Sequence, residues 1–458
     1  MALDPITTYP QAQEYLRAFV DFERRGFRRH FADAVNLDTI RALLDELGRP
    51  QDAFPVLHLA GTKGKGSTAA LAEAALRAAG YRTGLYTSPH LLNMRERVRL
   101  DGEPISEERL VELVAQIQPA VEAVARRPDL SPPTFFELHT ALAFVAFAEA
   151  RVDVAIVEVG LGGRLDATNV VSPLVTVVTT LGRDHVDILG ETLEQIAGEK
   201  AGILKPGVPL VLGRQPAEAE EVLRARAAQL GAPVRRAPRV WAAGPLVPLA
   251  PPLSRVPRLY PVQRLLLETP AGELPVSLPL LGEHQWDNLA LAWEAVQALG
   301  EAGFPVTPEQ FATGVAQVRW PGRLEVIGVL PWLVLDCAHN QPAMAALAAA
   351  LPAALQYRRL ILVLGMSADK EVAQSCAALA PLADEVVLTQ AFPPRALPPA
   401  ELARATAHLW RAEPHVCIGL SEALEVAGGL TTTEDCLCVT GSVFVVGDAL
   451  RALGRGEP

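Results

Sequence analysis

Between Val56 and Ala79 the chain passes from a short β-branched run, Val56 to Leu59, through Gly61-Thr62-Lys63-Gly64-Lys65-Gly66-Ser67-Thr68 into an alanine-rich stretch, Ser67 to Ala79. That stretch repeats its apolar residues every three or four positions, the period of a helix. A strand that enters a helix through a glycine-rich turn predicts a parallel sheet with crossover helices. The pattern continues with strands at Arg82 to Tyr86, Val154 to Val159 and Val175 to Leu181, and helices at Glu107 to Ala125 and Phe136 to Ala150. Ala232 to Leu281 is rich in proline and reads as antiparallel strands and loops on the first domain, closed by a helix from Gln285 to Leu299. A second alternating series follows Trp320-Pro321-Gly322-Arg323, with strands near Leu333 to Asp336, Leu360 to Leu364, Glu385 to Thr389 and Cys436 to Thr440. The fold class is α/β, with a domain boundary near residue 320. Pro248 to Pro257 and Pro393 to Pro399 read as loops.

The 458 residues are 50% hydrophobic and 20% charged, a folded and soluble composition. A net charge of −11 excludes a broad basic face, so no nucleic acid is expected, and an anionic ligand must be met locally. No apolar run approaches the length of a membrane span and the N-terminus has no secretory pattern, which predicts no membrane and a cytoplasmic location. Cys337, Cys376, Cys417, Cys436 and Cys438 lack zinc-site spacing and read as reduced core thiols. Only five of the 41 basic residues are lysines: Lys63, Lys65, Lys200, Lys205 and Lys370. Codon bias accounts for the ratio. A lysine kept where arginine is the default cation marks a place for a compact or deprotonatable amine.

In the glycine-rich turn, backbone N–H groups and the helix N-terminus can cradle phosphate oxygens, Lys65 can reach terminal phosphates and Ser67 can ligate Mg2+. The strict phosphate-loop spacing is not met, because Gly66 stands between Lys65 and Ser67. Glu158 ends an apolar strand and is followed by Val159-Gly160-Leu161-Gly162-Gly163, which allows close backbone approach at the edge where open sheets bind ligands. With Ser67, Ser88 and Glu158 at strand ends of one sheet, His185 in Gly182-Arg183-Asp184-His185 becomes a candidate Mg2+ ligand, although that ion prefers oxygen.

These segments, with Thr87-Ser88-Pro89-His90-Leu91, Thr134-Phe135-Phe136-Glu137, Leu165-Asp166-Ala167-Thr168-Asn169, Lys200, His284-Gln285-Trp286-Asp287-Asn288, Pro321-Gly322-Arg323 and Asp336-Cys337-Ala338-His339-Asn340, occur in an order that resembles folylpolyglutamate synthase and dihydrofolate synthase, the folate branch of the Mur ligase family. The resemblance spans nearly the whole chain. It implies an N-terminal P-loop-type, mostly parallel sheet domain over residues 1–318, with the ATP and pterin sites. A smaller C-terminal Rossmann-like α/β domain, the glutamate-ligase part, would cover 324–458. It also implies an ATP-dependent amide ligase joining L-glutamate to dihydropteroate or a reduced folate through an acyl phosphate, in a monomer. By motif match Gly61, Thr62, Lys63, Gly64, Lys65, Gly66 and Ser67 hold the ATP phosphates, while Asn288, Arg323 and Asp336 contact ATP. Thr134, Phe135, Phe136, Glu137, Leu165, Asp166 and Ala167 line the pterin site. Ser67, Ser88, Glu158, His185 and Lys200 serve two Mg2+ ions, Lys200 as a carbamate. Lys65, Lys200 and His339 are the candidate catalytic residues, His339 and Ser442 on the glutamate side.

A peptidoglycan Mur ligase shares the ATP chemistry but would not carry Thr87 to Leu91 or Thr134 to Glu137. A nucleotide-dependent switch protein would have no use for a second-metal carbamate. Two positions depart from the family pattern: Lys63 stands where asparagine is frequent and Gln341 where proline often follows.

Overall fold

The computed structural model describes residues 5–22, 36–244, 261–368, 370–391 and 395–455. The loop expected at 248–257 and the start of that at 393–399 lie outside them.

Eight strands form the first sheet: β1 (Val56–Ala60), β2 (Thr83–Tyr86), β3 (Val98–Leu100), β4 (Glu103–Pro104), β5 (Val154–Glu158), β6 (Val175–Val178), β7 (Leu210–Leu212) and β8 (Val234–Arg236). Their order is β4-β3-β2-β5-β1-β6-β7-β8. The pairings from β2 through to β8 are parallel, and β3 and β4 add an antiparallel edge. Every residue of β1, β2, β5 and β6 is buried, as expected of strands covered on both faces. Leu59 lies opposite Glu158 on one side, and Ala60 opposite Val178 on the other. The loops after β1, β2, β5 and β6 therefore leave the sheet at one edge.

The crossover helices are Lys65–Ala78, Glu107–Ala125 and Phe135–Ala150. Ser106 caps the second through the Arg109 N–H. The third is buried along nearly its whole length, which explains its weak amphipathic pattern. Arg97 donates from Nε to His90 Nδ1 at 2.8 Å and lies over the Phe135 ring.

Packing divides the chain into two compact units. One comprises the chain up to Arg239 together with Asp287–Val315, and the other Val240–Trp286 with Ala316 onward. Of the segment read as antiparallel decoration of the first domain, the part from Val240 onward groups with the second unit, while β8 stays in the first sheet as a parallel edge strand; the helix His284–Glu301 begins in one unit and continues in the other. The second unit holds an antiparallel sheet, β11-β10-β9, built from β9 (Val240–Ala242), β10 (Gln263–Thr269) and β11 (Gly272–Leu278). Its larger sheet runs β12-β13-β17-β14-β15-β16, from β12 (Glu325–Val329), β13 (Trp332–Leu335), β14 (Leu360–Leu364), β15 (Ala383–Leu388), β16 (His415–Val416) and β17 (Cys436–Thr440). All pairs are parallel except β12 with β13. All five cysteines are buried free thiols.

Packing of the helix Lys65–Ala78 depends on a missing side chain. Gly314, in the helix Pro308–Val315, would place a Cβ 2.3 Å from the Ala74 carbonyl oxygen. Gly to Ala inside a helix ordinarily stabilises by about 0.5–1 kcal/mol. Here the clash reverses the sign, and Gly314→Ala is expected to destabilise by about 1–3 kcal/mol. A fall in the urea midpoint at constant m-value checks this; a rise would contradict the packing described.

Candidate active site

The glycine-rich turn lies flush against the loop after β6. Thr62 and Lys63 N–H groups both donate to Thr180 O at 3.2 Å, and Thr179 Oγ1 donates to Lys63 O at 2.6 Å. A Cβ on Gly61 would stand 1.8 Å from Thr179 Oγ1. Gly64 has φ +86° and caps the helix that begins at Lys65. A Cβ there would meet Asn288 Oδ1 at 2.1 Å, and Thr68 Oγ1 donates to that same oxygen at 3.4 Å. Asn288, assigned to ATP on resemblance alone, is thus in contact with the glycine-rich turn. The helix starts two residues earlier than periodicity suggested, which puts Ser67, buried, inside its first turn.

Around this turn stand the charges. Lys65 Nζ is 3.7 Å from Glu158 Oε1, and the Ser88 N–H donates to Glu158 Oε2 at 3.3 Å. Lys63 Nζ pairs with Asp184 Oδ2 at 3.1 Å, while Asp184 Oδ1 accepts from the His185 N–H at 3.1 Å. His185 itself takes a left-handed backbone conformation, φ +52°. The buried Lys200 donates from Nζ to Gly61 O at 3.0 Å. Desolvation first, then the nearby Lys65, bring its amine down to about 7, against the opposing pull of Asp184 and Asp166. Gly61 to Ser67, Ser88, Glu158, His185 and Lys200 therefore share one edge of the first sheet.

Among the described residues no three His, Cys, Asp or Glu side chains cluster as a metal site. The expected set contains only two such side chains, Glu158 and His185. Its remaining donors are the hydroxyls of Ser67 and Ser88. A buried carboxylate with hard hydroxyl oxygens suits Mg2+, so the donor chemistry fits the ion.

The residues expected at the pterin site divide into two roles. Thr134 and Glu137 form a reciprocal cap: the Thr134 N–H and Oγ1 both donate to Glu137 Oε2 at 2.8 Å, and the Glu137 N–H donates to Thr134 Oγ1 at 3.3 Å. Phe135 is a core residue whose ring centroid lies 4.1 Å from that of His139, the two rings tilted by 43°. Phe136 faces the glycine loop, where a Cβ on Gly160 would stand 2.5 Å from its Cζ. Asp166, buried, accepts from Leu161 N at 2.9 Å and from Thr168 N at 3.0 Å, and so fixes the fold of that loop. Thr168 Oγ1 also donates to Asp166, so it must accept from His58 Nε2–H at 2.9 Å. This selects the Nε2–H tautomer and leaves His58 Nδ1 buried without a partner. Leu165 and Ala167 flank Asp166 in the same loop.

In the second unit Asp336 follows β13 and accepts from Leu324 N at 2.7 Å and Ala338 N at 2.8 Å. Burial raises its carboxyl and the Arg323 guanidinium opposes that rise. His339 Nδ1 is 2.9 Å from Cys337 O. Ser442 caps the helix Val443–Ala452 after β17, the parallel neighbour of β13, and Gly441 N–H bonds Ala338 O at 3.0 Å. Arg323, Asp336, His339 and Ser442 thus collect at one edge of the second sheet. At the other departure, Asn340 caps the helix Gln341–Ala354 and a proline is present one residue later, as Pro342.

Sequence reasoning missed Thr179, which anchors the glycine-rich turn, and the pairing of Lys63 with Asp184. For Thr179 the only signal was its place just past β6.

The Mur ligase middle domain matches residues 59–218 and the Mur ligase glutamate ligase domain residues 322–443. A dihydrofolate synthase/folylpolyglutamate synthase of Mycobacterium tuberculosis is 37% identical over 92% of this chain and 90% of its own, and one of Bacillus subtilis 33% identical over 93% and 96%. A crystal structure of the Mycobacterium tuberculosis folylpolyglutamate synthase with ADP and AMPPCP covers 99% of this chain and 100% of its own at 36% identity, TM-score 0.86. Escherichia coli FolC in complex with DHPP and ADP gives TM-score 0.81 at 29% identity, covering 98% of each chain.

Two buried histidines among the described residues of the first unit make stability acid-sensitive. His58 and His139 are held down to about 3, chiefly by desolvation, with Lys205 adding to the first and Arg97 to the second. Above the ordinary histidine value neither folded nor unfolded ring is charged. Below it the unfolded chain binds protons that the folded one refuses, so stability falls as pH drops from about 6.5 toward 3. At pH 5 the expected loss is about 2 kcal/mol per histidine. Urea unfolding of wild type and His139→Phe at pH 7 and pH 5 should show a smaller drop in the variant; equal drops would contradict it.

Proposed function

The chain belongs to the dihydrofolate synthase/folylpolyglutamate synthase family of Mur ligases, and on that premise we propose that it is an ATP-dependent ligase that adds L-glutamate to dihydropteroate and to reduced folates through an acyl phosphate. The acceptor carboxylate attacks the γ-phosphorus of ATP and ADP departs. The glutamate amine then attacks the acyl carbon, loses a proton, and the tetrahedral intermediate expels inorganic phosphate. Phosphorylation is needed because a carboxylate has no adequate leaving group in water.

In this reading Gly61 to Ser67 cradle the phosphates and Lys65 neutralises charge on the transferring group, with the helix N-terminus adding positive potential. Asn288 keeps the loop in shape. Arg323 and Asp336 serve ATP, His339 and Ser442 the glutamate, within the division 1–318 and 324–458. Phe136 and the loop around Asp166 serve the pterin. Magnesium, when bound, would lower the charge repulsion against the attacking carboxylate, held by Ser67, Ser88, Glu158, His185 and a Lys200 carbamate. That carbamate forms when the neutral amine attacks carbon dioxide, making an N–C bond and releasing one proton. Five unpaired buried thiols fit a reducing, cytoplasmic setting.

The observation that carries the reading is Lys200: an amine near 7, buried 3.0 Å from the phosphate loop, at a position where arginine could not lose its proton. Lys200→Ala is expected to abolish turnover nearly completely, with partial rescue by a small carboxylate. Wild-type activity in that variant would refute the role. For the reaction itself, phosphate release should require glutamate together with dihydropteroate or tetrahydrofolate. Steady ATP hydrolysis indifferent to both would refute the ligase.

A further inference from the structure

Lys205 has no part in that chemistry, yet it is one of five lysines in an arginine-rich chain. Its Nζ donates to Asn169 Oδ1 at 2.8 Å and to Asn169 O at 3.2 Å. Two acceptors on one residue, reached from a half-buried position, suit a compact tetrahedral ammonium and not a planar guanidinium fork. With its oxygen so occupied, the Asn169 amide must present its nitrogen elsewhere. Nδ2 donates to Arg164 O at 3.0 Å and to Gly202 O at 3.1 Å. Asn169 thereby joins the glycine loop to the turn that follows Lys200.

At that junction the two backbones touch. The Arg164 N–H donates to Glu199 O at 2.8 Å. A Cβ on Gly163 would stand 2.8 Å from Glu199 O and 3.1 Å from Lys200 Cα, and one on Gly202 would stand 2.4 Å from Arg164 Cα. Such close approach transmits a displacement of either segment to the other. The Lys200 amine, in turn, reaches Gly61 O.

We infer that Lys205 and Asn169 form a positioning clasp that sets the height of the Lys200 amine against the phosphate loop. Both act through Lys200 and neither touches substrate. The inference rests on the Lys200 role proposed above. Misplacement of a reacting group by about 1 Å can cost ~100-fold in rate, which sets the scale for loosening the clasp.

The test uses the full-length enzyme with Lys205→Met, Lys205→Arg and Asn169→Asp. The last keeps an acceptor for Lys205 but turns the two amide donor bonds into contacts between carboxylate and carbonyl oxygens. All three should lower kcat by about 10- to 100-fold while KM for ATP stays unchanged. They should also raise the bicarbonate concentration that half-saturates the 13C carbamate signal assigned to Lys200. Wild-type kcat and an unshifted carbamate titration in the variants would overturn the clasp. So would a loss of activity that only tracks a lowered unfolding midpoint, with kcat per folded molecule unchanged. Full activity of Lys205→Arg alone would overturn the argument for an ammonium. A wild-type enzyme with no carbamate signal would refute the proposed carbamate, while the kcat comparison still judges the clasp.

Discussion

The parallel pairing of β1 with β5 on one side and β6 on the other decides where everything else in the first unit goes. All three strands are buried throughout, so their register is set by packing on both faces and slippage by one residue would disrupt both. That register brings the ends of the strands level. Gly61, Glu158 and Thr179 follow from it, and so do the helix start that carries Ser67 and the loops that carry Asp166 and His185. The charged groups of the site are therefore placed by apolar strands that contain almost no charge themselves.

Most of this scaffold was legible because parallel strands and crossover helices write strong local patterns. The runs at Val56, Val154, Val175, Leu360 and Cys436 all became strands, and the helices at Glu107 and Phe136 lie within one residue of their expected starts. Short edge elements were not legible. β3, β4, β8 and β16 have two or three residues each, too few for a periodicity to show. The grouping of Val240–Trp286 with the second unit was hidden for another reason, since long-range packing leaves no mark on local composition.

The residues of the candidate site could be named from the sequence, but not their connections. Lys65, Glu158 and Lys200 announce themselves by type and place. The Thr134–Glu137 cap has the Thr-x-x-Glu spacing of a capping box, whereas that Phe135 is the fully buried one of the two phenylalanines and that Lys63 pairs with Asp184 required coordinates. The buried histidines illustrate the same limit. His58 lies in the middle of a strand and looks like an error in an apolar run, until Thr168 and Asp166 appear beside it.

The contact between the glycine-rich turn and Asn288 sets an order of assembly. Thr68 and Asn288 are 220 residues apart in the chain, yet the hydroxyl of one bonds the amide of the other, and Gly64 has no room for a side chain because that amide is there. Loop closure over such a span is slow compared with forming a local helix. On the ribosome the strand, turn and first helix emerge early, and they wait for most of the chain before the turn has its final wall. The turn therefore takes its final shape only once Asn288 has arrived, and until then the strand and helix beside it are held by apolar packing.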